Sequence, residues 1–187
     1  RKRKCDNASS TWIKIDFSSR NKRLFKKGFR KRSVGNHYEL ILMPEVFSFE
    51  VIEAKMPGSV WNPRDETGTL IMKDYENFYG RKEYANNVTG AYYSNRFALA
   101  EYLEKIKRQA ACLAIRECRE EYWAPCGVGI LREASRNAFQ KQPEKFNNLR
   151  EALQAAQKRM RMPISVFTKN SQLIIETRKQ KKLSEFI

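Results

Sequence analysis

Between Tyr79 and Arg96 the chain interleaves rings and cations: Tyr79, Arg81, Lys82, Tyr84, Tyr92, Tyr93 and Arg96. Cations can hold phosphates while rings stack on bases, so this stretch is the preferred nucleic-acid surface. The competing reading is a helix start packed by tyrosines with solvated arginines. Arg108, Arg116, Arg132 and Arg136 extend the candidate surface, and with Glu117 and Glu133 they could instead form a structural ion-pair network. Asp74 and Glu76 supply hard oxygen ligands that would suit magnesium in phosphodiester hydrolysis, although paired acids are also common in loops. A second acid group, Glu45 with Glu53 and Lys55, resembles a degenerate PD-(D/E)xK nuclease pattern. Magnesium would follow only from one of these hydrolytic readings. His37 is the single histidine, so the sequence shows no Cys/His zinc set.

The last eight residues, Gln180 to Ile187, follow another pattern. Gln180, two spacers, Leu183, two spacers and the pair Phe186-Ile187 match the PCNA-interacting peptide that docks on the DNA sliding clamp. Residues three apart eclipse in a 3₁₀ turn, so Leu183 and Phe186 can enter one apolar pocket while Gln180 bonds at its edge. Ile187 replaces the second aromatic of the fullest versions, which leaves Phe186 as the main anchor. Arg178, Lys179, Lys181 and Lys182 would speed association with an acidic clamp surface. The alternative is an amphipathic last helix packed on its own domain.

The elements that would position these residues read as a mixed α/β (α+β) domain. Period-two alternation marks strands at Ile13 to Phe17 and at Phe47 to Val51, and the apolar runs His37 to Met43 and Ala111 to Cys118 have strand length. Thr69 to Met72 resumes a strand after the Gly- and Pro-containing loop 58–68. About three helices are expected: one from Tyr92 with Leu99, Leu103 and Ile106 on its stripe, one opening after Pro125-Cys126-Gly127, and one starting at Pro143. Ile164 to Phe167 and Leu173 to Ile175 read as a hairpin. Arg20 to Arg32, with eight cations, reads as a basic loop. The division expected is a basic domain over residues 1–176 and a flexible tail over 177–187.

The chain has 187 residues and 41% hydrophobic content, enough for one core. Its net charge is +16 with pI near 9.9, an excess that points to a polyanion. An RNA-binding or ribosome-associated role stays open on that ground. No apolar stretch is long enough to span a bilayer, and the start lacks a signal-peptide core. Four scattered cysteines suggest reduced thiols.

The ordered succession Asp74-Tyr75-Glu76, Tyr79-Gly80-Arg81-Lys82, Tyr84-Ala85, Gly90 with Tyr92-Tyr93, Arg96, Glu101-Tyr102-Leu103, Arg108-Gln109-Ala110, Arg116-Glu117, Glu121-Tyr122, Pro125, Gly127-Val128 and Arg132-Glu133 with Arg136 resembles the archaeal Nre family of DNA-repair proteins. Glu53-Ala54, Pro57-Gly58 and Trp61 fit as well. The resemblance implies a DNA-damage-response protein of the archaeal cytoplasm, associated with the nucleoid and recruited by PCNA. It implies no reaction. The resemblance also implies a zinc-binding, cysteine-rich segment near the true N-terminus, and nothing here matches it, so the chain reads as the later part of a longer protein, or as a divergent or incompletely seen member. The overall expectation is a repair factor that contacts DNA through a basic surface, with a nuclease as its rival.

Overall fold

In a computed structural model, the described residues are 12–17, 35–64, 68–122 and 127–179. The basic stretch 20–32, Pro125, Cys126 and the clamp-type peptide Gln180 to Ile187 lie outside them.

Among the described residues six strands form one mixed sheet: β1 (Trp12–Phe17), β2 (Asn36–Met43), β3 (Ser48–Lys55), β4 (Leu70–Glu76), β5 (Ala111–Cys118) and β6 (Glu144–Phe146). Their spatial order is β4-β3-β5-β2-β1-β6, and only the β3–β5 pair is parallel. Five helices cover it: α1 (Gly90–Ile106), α2 (Gly127–Phe139), α3 (Leu149–Gln157), α4 (Ile164–Asn170) and α5 (Gln172–Lys179). Alternate residues of each strand point to opposite faces. Leu40, Leu42, Phe49, Val51 and Ala114 therefore pack against α1 and α2 on one face. Ile41, Met43, Ile52, Leu113 and Ile115 pack against α3, α4 and α5 on the other. Since both faces are covered, β2 and β5 are buried along their whole length, as expected of central strands between helical layers.

The mixed α/β class holds, with five helices where about three are expected. Four local expectations are corrected. The strand expected at Thr69 to Met72 starts at Leu70 and runs on through Asp74 to Glu76, so these acids are strand residues. Pro143 does not begin a helix: Glu144–Phe146 is strand β6, paired with β1. α3 begins at Leu149 because Asn148 caps it, its Oδ1 accepting the Glu151 amide at 2.9 Å while the Glu151 carboxylate accepts the Asn147 amide at 3.1 Å. The expected hairpin at 164–175 is the helix pair α4 and α5, and α5 continues through Thr177 to Lys179.

Gly35 leads into β2 where two backbones meet. A Cβ there would lie 2.1 Å from the Tyr122 amide nitrogen, so no larger residue fits without moving the chain.

Candidate nucleic-acid interface

β4 and α1 bring the central residues together. Register pairs Asp74 with Val51 and Glu76 with Phe49, which aims both acids at the face covered by α1. The Asp74 carboxylate accepts the amides of Val88 at 2.6 Å and Asn87 at 3.2 Å, and faces Arg81 Nη1 at 3.3 Å. Arg81 also donates to three carbonyls: Tyr75 at 2.9 Å, Glu83 at 3.2 Å and Tyr84 at 3.3 Å. A planar fork with five donors suits this task, and here it ties the loop between β4 and α1 to the sheet. Glu76, buried, is bonded to Arg96, whose guanidinium lies 5.5 Å from the Phe47 ring.

Tyr92 is a core residue. It is fully buried, packed 5.1 Å from Phe49, with Arg81 5.3 Å from its ring. Burial chiefly, with Glu76 adding, holds its phenol well above the ordinary range. Tyr93, one position on, faces outward, and its hydroxyl accepts the Ala85 amide at 2.9 Å. Tyr84 lies on Tyr93 with ring centroids 4.8 Å apart and a tilt of 32°. Glu76, Gly80, Arg81, Lys82, Glu83, Tyr84, Tyr93 and Arg96 line a cleft of about 420 Å³. Beside it stand the exposed rings of Phe78 and Tyr79, the latter 91% exposed.

The surface continues along α1 and α2. Arg136 bonds Glu101 and Glu133, each at 2.7 Å, and covers the exposed Phe97 ring at 5.5 Å. Arg132 is exposed, with Glu133 at 3.7 Å. The two helices approach closely at Gly90, where a Cβ would lie 2.9 Å from Val128 Cγ2. Arg108 is exposed just beyond the end of α1, after the left-handed turn at Lys107.

Arg116 does not belong to this surface. It is 2% exposed in the middle of β5, donating to Glu53 at 2.5 Å and to Asn36 at 2.7 and 2.9 Å, between the rings of Tyr38 and Tyr122. The arginines thus divide between an exposed α1–α2 network and a separate buried one.

The second acid group is not assembled. Glu45 sits in the turn after β2, whereas Ser48 to Glu53 alone spans about 17 Å of extended strand. Glu53 is held by Arg116, and Lys55 Nζ contacts Met72 Sδ at 2.8 Å beside Trp61. Among the described residues no three His, Cys, Asp or Glu side chains converge as a metal set. His37 lies on the opposite sheet face, its Nε2 bonded to Glu39 at 3.0 Å. Burial pushes the Cys118 thiol up to about 11, so it is a packed thiol rather than a nucleophile. No helix of the described residues is long and apolar enough to cross a membrane.

Phe78 and Phe97 are the surface residues that sequence reasoning missed. Each is a lone ring beside polar neighbours, and nothing in spacing distinguishes such a ring from a core residue.

Comparison with known proteins adds a family. The archaeal Nre C-terminal family model matches residues 76–186, and the archaeal Nre N-terminal model matches residues 22–62. The chain is 43% identical over 112 residues to the DNA repair protein NreA of Haloferax volcanii, which covers 60% of this chain and 27% of that protein. It is 36% identical over 132 residues to NreA of Archaeoglobus fulgidus, covering 71% of this chain and 33% of that one. With NreB of the same organism it shares 36% identity over 152 residues, or 81% of this chain and 38% of that one. The chain therefore spans about a third of the length of the curated relatives it matches. No solved structure matches.

Proposed function

The chain belongs to the archaeal Nre family, and from that premise we propose that it acts in DNA repair as a DNA-contacting domain brought to the sliding clamp PCNA by Gln180 to Ile187. The observation that carries this reading is the exposed group of Tyr79, Lys82, Tyr84 and Tyr93, on a loop that Arg81 braces at Tyr75, Glu83 and Tyr84, with Tyr93 tied to that loop through the Ala85 amide. Rings presented to solvent on a braced loop cost stability unless something covers them, and nucleic acid offers both the π-faces and the phosphates that match. The relatives' name, DNA repair protein, favours DNA as that partner. Asp74 and Glu76 already have their hydrogen-bond partners, which supports a contact surface over a hydrolytic centre. The C-terminal family match runs to residue 186 and so takes in Gln180, Leu183 and Phe186. With a clamp peptide and a DNA surface on one chain, each contact raises the local concentration for the other. The reading places the protein with the DNA in the archaeal cytoplasm.

Lysine acylation read by mass spectrometry, with and without a gapped DNA duplex, tests the surface. Lys82 should be protected by DNA, while Lys158 and Lys169, exposed with the helices of the opposite face, keep their reactivity. Protection of Lys158 and Lys169 with Lys82 unprotected would place the DNA elsewhere and sink the proposal.

A further inference from the structure

Resting on that reading of the α1 face, we infer that the cleft beside Tyr84 takes an unpaired base of single-stranded DNA rather than the backbone of a duplex.

Charge is the first argument. Arg81, Lys82 and Arg96 bring three positive charges to the cleft, Glu76 and Glu83 line it with two negative ones, and Asp74 faces Arg81 from outside the lining. Arg81 is directed at Asp74 and three carbonyls, and Arg96 at Glu76. That leaves Lys82 as the cleft cation without a carboxylate partner among the described residues. Phosphate recognition uses forked or clustered free donors, and this cleft has one point charge with a carboxylate beside it.

Shape is the second. The Tyr84 ring is 58% exposed and backed on one side by Tyr93, which is itself fixed through its hydroxyl to the Ala85 amide. Arg81 holds the Tyr84 carbonyl at 3.3 Å, so the backbone under the ring is braced. The result is a half-exposed ring backed by Tyr93, beside an open cleft of about 420 Å³. Tyr79, in edge contact with Phe78 at 5.7 Å, offers a second ring a few residues away. In a duplex each base face is covered by its neighbours and only edges reach the grooves. Within a duplex, away from its ends, a tyrosine face can therefore stack only on a base that has left the helix.

The test is fluorescence anisotropy with the full chain, using one sequence as single-stranded DNA, as duplex DNA and as single-stranded RNA. Tyr84→Ala is expected to weaken single-stranded DNA about 10-fold, the loss of one base stack, and to leave duplex affinity unchanged. Tyr84→Phe, which keeps the ring, should bind like wild type, and matched thermal melts of the variants establish that folding is intact. Equal binding of single strands by wild type and Tyr84→Ala overturns the inference. So does an equal loss on duplex, or a clear preference for RNA over DNA. If Lys82 is still protected by DNA in those cases, the surface assignment survives and only the base assignment falls; if Lys82 is unprotected as well, both fall.

Discussion

Arg116 sits where a cation of this chain is hardest to keep. Its guanidinium is enclosed by Glu53, Asn36, Tyr38 and Tyr122, with almost no contact with solvent. Desolvating both charges consumes most of their mutual attraction, so the pair adds little over an apolar replacement. Removing one partner alone is different, because it strands the other charge. Arg116→Met should therefore destabilise the chain by about 3–5 kcal/mol in urea denaturation, and adding Glu53→Leu should recover most of that. Affinity for DNA at equal folded fraction should not change. An Arg116→Met protein that folds normally and loses DNA affinity would return this residue to the binding surface. From the sequence Arg116 reads as one more cation on a strand, because the alternation that would mark an inward position is absent when both faces of β5 are covered. Tyr92 and Tyr93 pose the same difficulty on α1, where adjacent tyrosines go one to the core and one to the surface.

α5 owes its position to a carboxylate on a strand. Glu50, buried in β3, accepts the Ser171 hydroxyl at 2.5 Å and the amides of Gln172 at 2.9 Å and Leu173 at 3.1 Å, so it satisfies the first turn of the helix and its charge favours the helix N-terminus. Burial holds the Glu50 carboxyl above its usual range, and the hydrogen bonds from Ser171, Gln172 and Leu173 oppose that only in part. The folded chain then binds a proton at a pH where the unfolded chain has released it. The stability this linkage contributes is fully present below the unfolded value and is lost as pH rises through the folded one. Wild type should accordingly gain on Glu50→Gln as the pH is lowered from neutral toward the ordinary glutamate range, measured by urea denaturation across that interval. A constant difference between the two proteins would show that Glu50 does not titrate with folding. The strands β2 and β5, the core of β3 and the body of α1 were legible because their apolar residues run to strand length or keep a regular period. Ile164 to Phe167 and Leu173 to Ile175 are too short for that. The second is decided by Glu50, over a hundred residues earlier, which no local pattern contains, and at the first the Gln157 side-chain oxygen accepts the Ile164 amide at 2.6 Å. β6 is likewise made by its pairing with β1 rather than by its own three residues.

Charge at the scale of the whole chain divides unevenly. Residues 1–34 hold 13 of the 37 Lys and Arg and two of the 21 Asp and Glu, a net of +11 out of +16. Residues 35–179 hold 22 cations against 18 acids, a net of +4. The composition-level argument for a polyanion therefore belongs mainly to the first segment. The α1 face depends on rings and on bracing, and that is why its residues were legible as a motif while the balance of charge in the cleft was not: spacing shows where Arg81 and Arg96 stand in the chain, not that Asp74 and Glu76 engage them. The proposed place of work of such a molecule is the sliding clamp, where it would act as a repair factor. Calorimetric titration of the full chain, and of a Leu183→Ala/Phe186→Ala variant, into the cognate PCNA tests it most directly. Wild type should bind with Kd of about micromolar or tighter, and the double variant should give no binding heat. Wild type failing to bind, or the variant binding equally well, would contradict it.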